Sequence, residues 1–126
     1  MTSRPTAVSV VHGALARCVF AVVVLVSLAV LFTPASGVPS APPGVDKVVH
    51  VLLFGVLAVS GRWAGVGRGV LGVVLVVYAS ISELLQSLPV LNRSTSVADL
   101  LADVAGVAVG LLVWDAVART RATRPR

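Results

Sequence analysis

The sequence predicts an all-α integral membrane protein: a four-helix bundle with both termini on the cytoplasmic side. Three observations carry this. The 126 residues are 57% hydrophobic and 12% charged, with mean hydropathy +1.01. A soluble domain of this length could not hide so much apolar surface, whereas a bilayer solvates it. The apolar residues fall in four runs, each continuously apolar rather than alternating, which argues for helices against barrel strands. The basic residues collect at one end of those runs.

The first run, residues 14–32, stops at TPASGVPSAPPG (33–44), whose prolines and glycines cannot continue a helix. The second, residues 47–62, is short and needs tilt, local thinning or its Trp63 end to complete a crossing. GRWAGVGRG (61–69) makes a tight, glycine-rich connection to the third run, residues 69–88, which Pro89 stops. The fourth, residues 97–118, leads into the basic tail RTRATRPR (119–126). Runs three and four have about the twenty residues a helix needs to cross hydrocarbon. Residues 1–126 read as a single membrane domain.

Orientation follows from the positive-inside bias. Arg4 and Arg17 precede or open the first helix, Arg62 and Arg68 join the second to the third, and Arg119, Arg121, Arg124 and Arg126 follow the fourth. Only Lys47 and Arg93 lie on the opposite side, eight basic residues against two. A multi-pass protein of the cell membrane is expected. Residues 1–37 also fit a signal peptide, with basic residues, an apolar stretch and the small residues Ala35, Ser36 and Gly37. Cleavage there would leave three helices in the same orientation. The net charge of +5 is scattered over run ends and forms no block, so membrane orientation explains it better than nucleic-acid binding. The single cysteine, Cys18, excludes an internal disulfide and is expected to be a buried bystander.

With that orientation the ionisable residues gather at the outer ends of the helices. Asp46, Lys47 and His50 open helix two, Glu83 and Gln86 close helix three, Arg93 lies in the outer loop, and Asp99 and Asp103 begin helix four. Asp46 and His50, four apart, share one face; Glu83, Gln86 and Ser87 share another with Ser80. Asp99, Asp103, Gly106 and Gly110 form one narrow stripe. Gly106 and Gly110 are a GxxxG pair that admits close approach of another helix, within the monomer, in a second copy or in a membrane-protein partner. The acids are therefore expected to face the bundle interior.

Each residue has a plainer role beside the functional one. Asp46 suits an N-cap, and Ser96 with Asp99 suits a capping box. Lys47 and Arg93 suit interfacial residues that reach for water. Asp115 and Arg119 suit a structural i,i+4 pair, and Trp63, Tyr78 and Trp114 suit packing or the interface. His50, Glu83 and Asp103 are harder to dismiss. Asp103 lies about 9 Å along helix four, where an ionised carboxylate is unfavourable and needs a partner or a proton.

DKVVHVLLFG, ELLQ and RSTSVADLLADVAGVAVG, in that order and spacing, resemble the signature of the VanZ-like membrane protein family over the last three helices, about residues 46–113. The combination DKxxH, ExxQ and RxxxxxDxxxxxxG carries the resemblance. It implies functional positions at Asp46, Lys47, His50, Phe54, Glu83, Gln86, Arg93, Asp99, Gly106 and Gly110. Two positions depart: the family usually has asparagine where Asp103 stands, and often an acid where Ser96 stands. The family takes its name from a member associated with resistance to the glycopeptide teicoplanin, so the resemblance implies a cell-envelope role.

The leading expectation is a non-enzymatic binding protein. Asp46, Lys47, His50, Glu83, Gln86, Arg93, Asp99 and Asp103 would line an outer pocket for a lipid headgroup or a ligand of the peptidoglycan-precursor type. Lys47 and Arg93 would attract an anionic group such as phosphate. The second reading is an intramembrane hydrolase or transferase acting on a lipid-linked substrate, with His50 and Glu83 as catalytic candidates and the acids orienting the imidazole or binding a divalent cation. No compact metal motif such as HExxH, serine elbow or glycine-rich phosphate loop is present, so no resident metal or cofactor is expected. Ion transport is disfavoured because the inner halves of helices three and four, GVLGVVLVVYA and VAGVAVGLLVW, carry no charge. A small subunit that docks a larger envelope protein is the fourth reading.

Overall fold

A computed structural model describes residues 7–123, with side-chain environments from residue 13 onward; Arg4, Arg124 and Arg126, counted in the charge asymmetry, lie outside the described residues. The chain forms four helices, α1 (Ala7–Phe32), α2 (Val45–Trp63), α3 (Arg68–Gln86) and α4 (Val97–Ala122), with one 3-10 turn at Ala35–Gly37. Among the described residues there is no strand. Three segments, Gly13–Phe32, Arg68–Gln86 and Val97–Ala122, are long and apolar enough to cross a membrane. The exception is α2, whose nineteen residues include Asp46, Lys47 and Arg62. The protein is therefore read as a membrane protein.

The helix ends differ from the expected ones for local reasons. α1 begins at Ala7 rather than residue 14. α3 stops at Gln86 because Leu88 precedes Pro89, and a residue before proline is pushed out of the helical region. α4 runs on to Ala122, so residues 119–122 of the expected tail are helical; Arg119 and Arg121 in its last turn complement the carbonyl end of the helix dipole. Gly65, at φ +96°, lets the chain reverse between α2 and α3, a conformation most side chains resist.

The polarity is inverted relative to a soluble bundle. Leu25, Leu52, Val73, Leu84, Leu101 and Val109 stand outward and exposed, whereas Ser27, His50, Ser82, Glu83, Gln86, Asp99 and Asp103 are buried. Such a surface is compatible with lipid contact and would aggregate in water. The apolar core is Leu31, Phe54, Leu57, Ala58, Leu71, Leu75, Ala79, Val107 and Leu111.

The tightest seam joins α2 and α4. A Cβ on Gly106 would collide with the carbonyl oxygen of Val51, and one on Gly110 would lie 2.5 Å from that of Gly55. The GxxxG pair thus packs inside the monomer, backbone against backbone. α1 rests on the bundle through one face only, with Ala16, Ser27 and Leu31 buried. Cys18 lies off that face and is exposed, contrary to the expected burial.

The C-terminal end of α1 is held by side chains from elsewhere. Gln86 Nε2 donates to the Leu31 carbonyl across 2.7 Å, and Arg93 Nη1 donates to Val30 (2.9 Å), Leu31 (3.2 Å) and Thr33 (3.3 Å). The last carbonyls of a helix have no partner within it, and these two residues satisfy them. Arg93→Gln is expected to lower stability by about 1–2 kcal/mol, the lower part of the range for charged hydrogen bonds because the guanidinium is half-exposed. A denaturation midpoint in detergent reads this out; an unchanged midpoint means that α1 docks through its apolar face alone.

Candidate functional site

The buried face of each helix follows from its spacing. On α2 the buried positions His50, Phe54, Leu57, Ala58 and Gly61 recur at helical intervals, so His50 shares the face that meets α4. On α4 they are Asp99, Asp103, Gly106, Val107, Gly110 and Leu111, so both acids extend the stripe that the glycines press against α2. On α3 they are Leu71, Leu75, Ala79, Ser82, Glu83 and Gln86. Because Gly106 and Gly110 bring α4 onto α2, Asp103 is carried to His50 one turn above the closest approach.

There the imidazole Nδ1 of His50 donates to Asp103 Oδ1 across 2.7 Å, and Glu83 Oε1 lies 3.8 Å from the same nitrogen. All three side chains are enclosed: Asp103 is fully buried, His50 6% exposed and Glu83 10% exposed. Both Glu83 oxygens and Asp103 Oδ2 have no hydrogen-bond partner in the chain. Buried polar atoms are ordinarily paired, so this set of orphaned acceptors asks for an explanation. Beneath it Phe54, fully buried, leans on Tyr78 with ring centroids 5.7 Å apart, and the Tyr78 hydroxyl hydrogen-bonds Ser27 at 2.9 Å.

Nearer the N-terminal ends of α2 and α4, Lys47 Nζ lies 3.1 Å from Asp46 Oδ2 and 3.2 Å from Asp99 Oδ1. Asp99 is also the capping-box partner of Ser96, whose Oγ accepts from the Asp99 N–H and donates to its carboxylate. Asp46 is not the N-cap of α2: Gly44 takes that position, and Asp46 sits in the first turn, half-exposed. Ser80 and Ser87, grouped with Glu83 by spacing, line a shallow groove beside it, but their hydroxyls bond their own helix. At the other end Asp115 pairs with Arg68 across 2.5 Å, and Arg119 reaches only the Asp115 backbone carbonyl.

Above the buried set is a cavity of about 350 Å³ lined by Ala35, Val38, Asp46, His50, Gln86, Asn92, Arg93, Ser94 and Asp99. Its roof is formed by the α1–α2 and α3–α4 connections, tied together where Ala35 N–H donates to the Leu91 carbonyl across 3.1 Å. Of the expected pocket residues, Asp46, His50, Gln86, Arg93 and Asp99 line this cavity, Lys47 flanks it through its ion pairs, and Glu83 and Asp103 lie against His50. Gln86 and Arg93, which line the cavity, also brace the end of α1. Lys47 and Arg93 are both engaged by the chain, and the region holds four carboxylates, Asp46, Glu83, Asp99 and Asp103, against these two cations.

Spacing did not select Ser27, Asn92 or Ser94. Asn92 carried the available signal: an asparagine in a post-proline loop is a residue that tolerates positive φ, and here it adopts φ 45° at the cavity rim. Comparison of the chain with protein-family models finds no match, and comparisons with curated proteins and with solved structures find none either.

Proposed function

We propose that this is a VanZ-like, four-span membrane protein, both termini cytoplasmic, whose outer cavity binds a polar ligand or lipid headgroup of the cell envelope. The observation that carries the reading is the gathering of Asp46, Lys47, His50, Glu83, Gln86, Arg93, Asp99 and Asp103 at one end of an otherwise apolar bundle. Buried ionisable groups at membrane depth are unfavourable and, by default, functional. The order of DKxxH, ExxQ and RxxxxxDxxxxxxG supports the family assignment, and eight basic residues against two support the orientation. The excess of carboxylates favours a ligand that presents amino or hydroxyl groups over one that presents phosphate alone. A peptidoglycan-precursor type of molecule has such groups, and a link to glycopeptide resistance of the teicoplanin type belongs to the same proposal.

Lys47→Ala and Glu83→Gln are expected to abolish protection in a cell-envelope stress assay while protein levels stay at the parental value. Ser94→Cys, in a chain with Cys18 replaced, should label from outside intact cells. If both variants protect like the parent, the cluster is structural; if Ser94→Cys labels only after lysis, the orientation is inverted.

One observation favours a second reading, an intramembrane enzyme acting on a lipid-linked substrate. His50 is oriented by Asp103 through Nδ1 while lining the cavity, the arrangement of a histidine held for proton transfer. Turnover of a lipid-linked substrate by purified protein, lost in His50→Ala, would decide for it.

A further inference from the structure

We infer that His50, Glu83 and Asp103 form a binding site for one divalent transition-metal ion, of the Zn²⁺ or Mn²⁺ class, with an open coordination position facing the outer cavity. The inference stands on the geometry of these side chains and not on the envelope-ligand reading.

Each residue supplies one ligand atom, and the three atoms lie within 4.8 Å of one another. Two of the separations are 2.7 and 3.8 Å. An ion about 2.1 Å from each nitrogen or oxygen needs donors about 3–3.5 Å apart, so the observed distances bracket what is required. Asp103 has one oxygen on the imidazole and the other with no partner although the side chain is wholly buried. Glu83 has neither oxygen bonded, so its flexible side chain can swing the carboxylate inward without breaking a hydrogen bond.

Charge gives an independent reason. Two enclosed carboxylates in a low-dielectric bundle need protons or positive charge close by, and Lys47 is occupied by Asp46 and Asp99. A divalent ion balances both carboxylates and takes the lone pair of Nδ1, the imidazole proton then residing on Nε2. One imidazole with two carboxylates suits Zn²⁺ and Mn²⁺, whereas Ca²⁺ and Mg²⁺ prefer oxygen alone. Three protein ligands leave at least one position open, as in metal sites that bind or activate a further group. His50 lines the 350 Å³ cavity, which gives an ion its entry path. The three ligands come from three helices, which is why no contiguous motif announced them.

The test uses the full chain in detergent, stripped with EDTA and titrated with Zn²⁺ and, separately, Mn²⁺. One ion per chain is expected. Asp103→Asn and Glu83→Gln should each weaken binding by more than about 100-fold, since even supporting residues around a metal contribute 10–100-fold. Asp115→Asn, at the opposite end of the bundle, should bind like the parent. Parental affinity in Asp103→Asn and Glu83→Gln, or no uptake by the folded wild-type chain, overturns the site. Should either variant fail to fold, the EPR of Mn²⁺ bound to a chain carrying His12→Gln decides. His12 and His50 are the only histidines, so imidazole-nitrogen coupling then identifies His50, and its absence overturns the site.

Discussion

Gly106→Val is expected to drive α2 and α4 apart and to destabilise the bundle strongly. The added Cβ would collide with the Val51 carbonyl oxygen and lie 3.1 Å from Phe54 Cβ. A carbonyl inside a helix cannot rotate away as a side chain can, so the strain must be relieved by moving a whole helix. Overpacking a tight core typically costs about 1–3 kcal/mol, and a collision with backbone belongs at the upper end. Separation of the helices would also withdraw Asp103 from His50, coupling the packing defect to the site. Gly110→Ala should behave similarly, because its Cβ would lie 2.5 Å from the Gly55 oxygen and 2.7 Å from Ala58 Cβ. Gly72→Ala supplies the contrast. Its Cβ meets only Leu111 Cδ1, at 3.6 Å. Removing a mid-helix glycine should then be neutral or stabilising by up to about 1 kcal/mol. Denaturation midpoints in one detergent read all three, and equal midpoints would mean that α2 and α4 do not meet along this seam.

The second large effect is expected at the buried pair. His50→Leu removes the donor to Asp103 and leaves two enclosed carboxylates with no partner in the chain. Breaking one side of a buried charged pair typically costs about 3–5 kcal/mol. The double variant His50→Leu with Asp103→Leu should recover part of that loss, because an apolar pair needs no partner. In contact pairs such cycles give interaction energies of about 0.5–3 kcal/mol. The midpoints should be measured with EDTA present, so that a bound ion does not add to the wild-type stability. Additive losses in the double variant would show that His50 and Asp103 do not depend on each other.

These two predictions draw on residues of different legibility. Gly106 and Gly110 stood out in the sequence as a GxxxG pair in line with Asp99 and Asp103, and all four are buried on one face of α4. What spacing could not provide was the partner: Val51 and Gly55 of α2, an apolar valine and a glycine with no special pattern. His50, Glu83 and Asp103 were likewise conspicuous as charges in apolar runs, but their meeting at one point was an expectation rather than a reading. Arg93 and Gln86 show the reverse case. Both line the cavity as expected, but their hold on the carbonyl end of α1 had no signal in the spacing.

The sequence by itself determined the number of helices, their apolar character and the end at which the ionisable groups collect. Those properties follow from local chemistry: runs of residues that water rejects, prolines that stop a helix, and side chains repeating every three or four positions. Only the tertiary structure decided which charges pair. Lys47 finds Asp99, Arg68 finds Asp115 and His50 finds Asp103, contacts 47 to 53 residues apart where a hydrogen bond forms. Such pairings depend on the rotation of each helix about its axis and its shift along the neighbour. A helix apolar around most of its circumference does not encode those two quantities. They are set when bare backbone at Gly106 and Gly110 settles against α2, and the polar end of the bundle takes its arrangement from that contact.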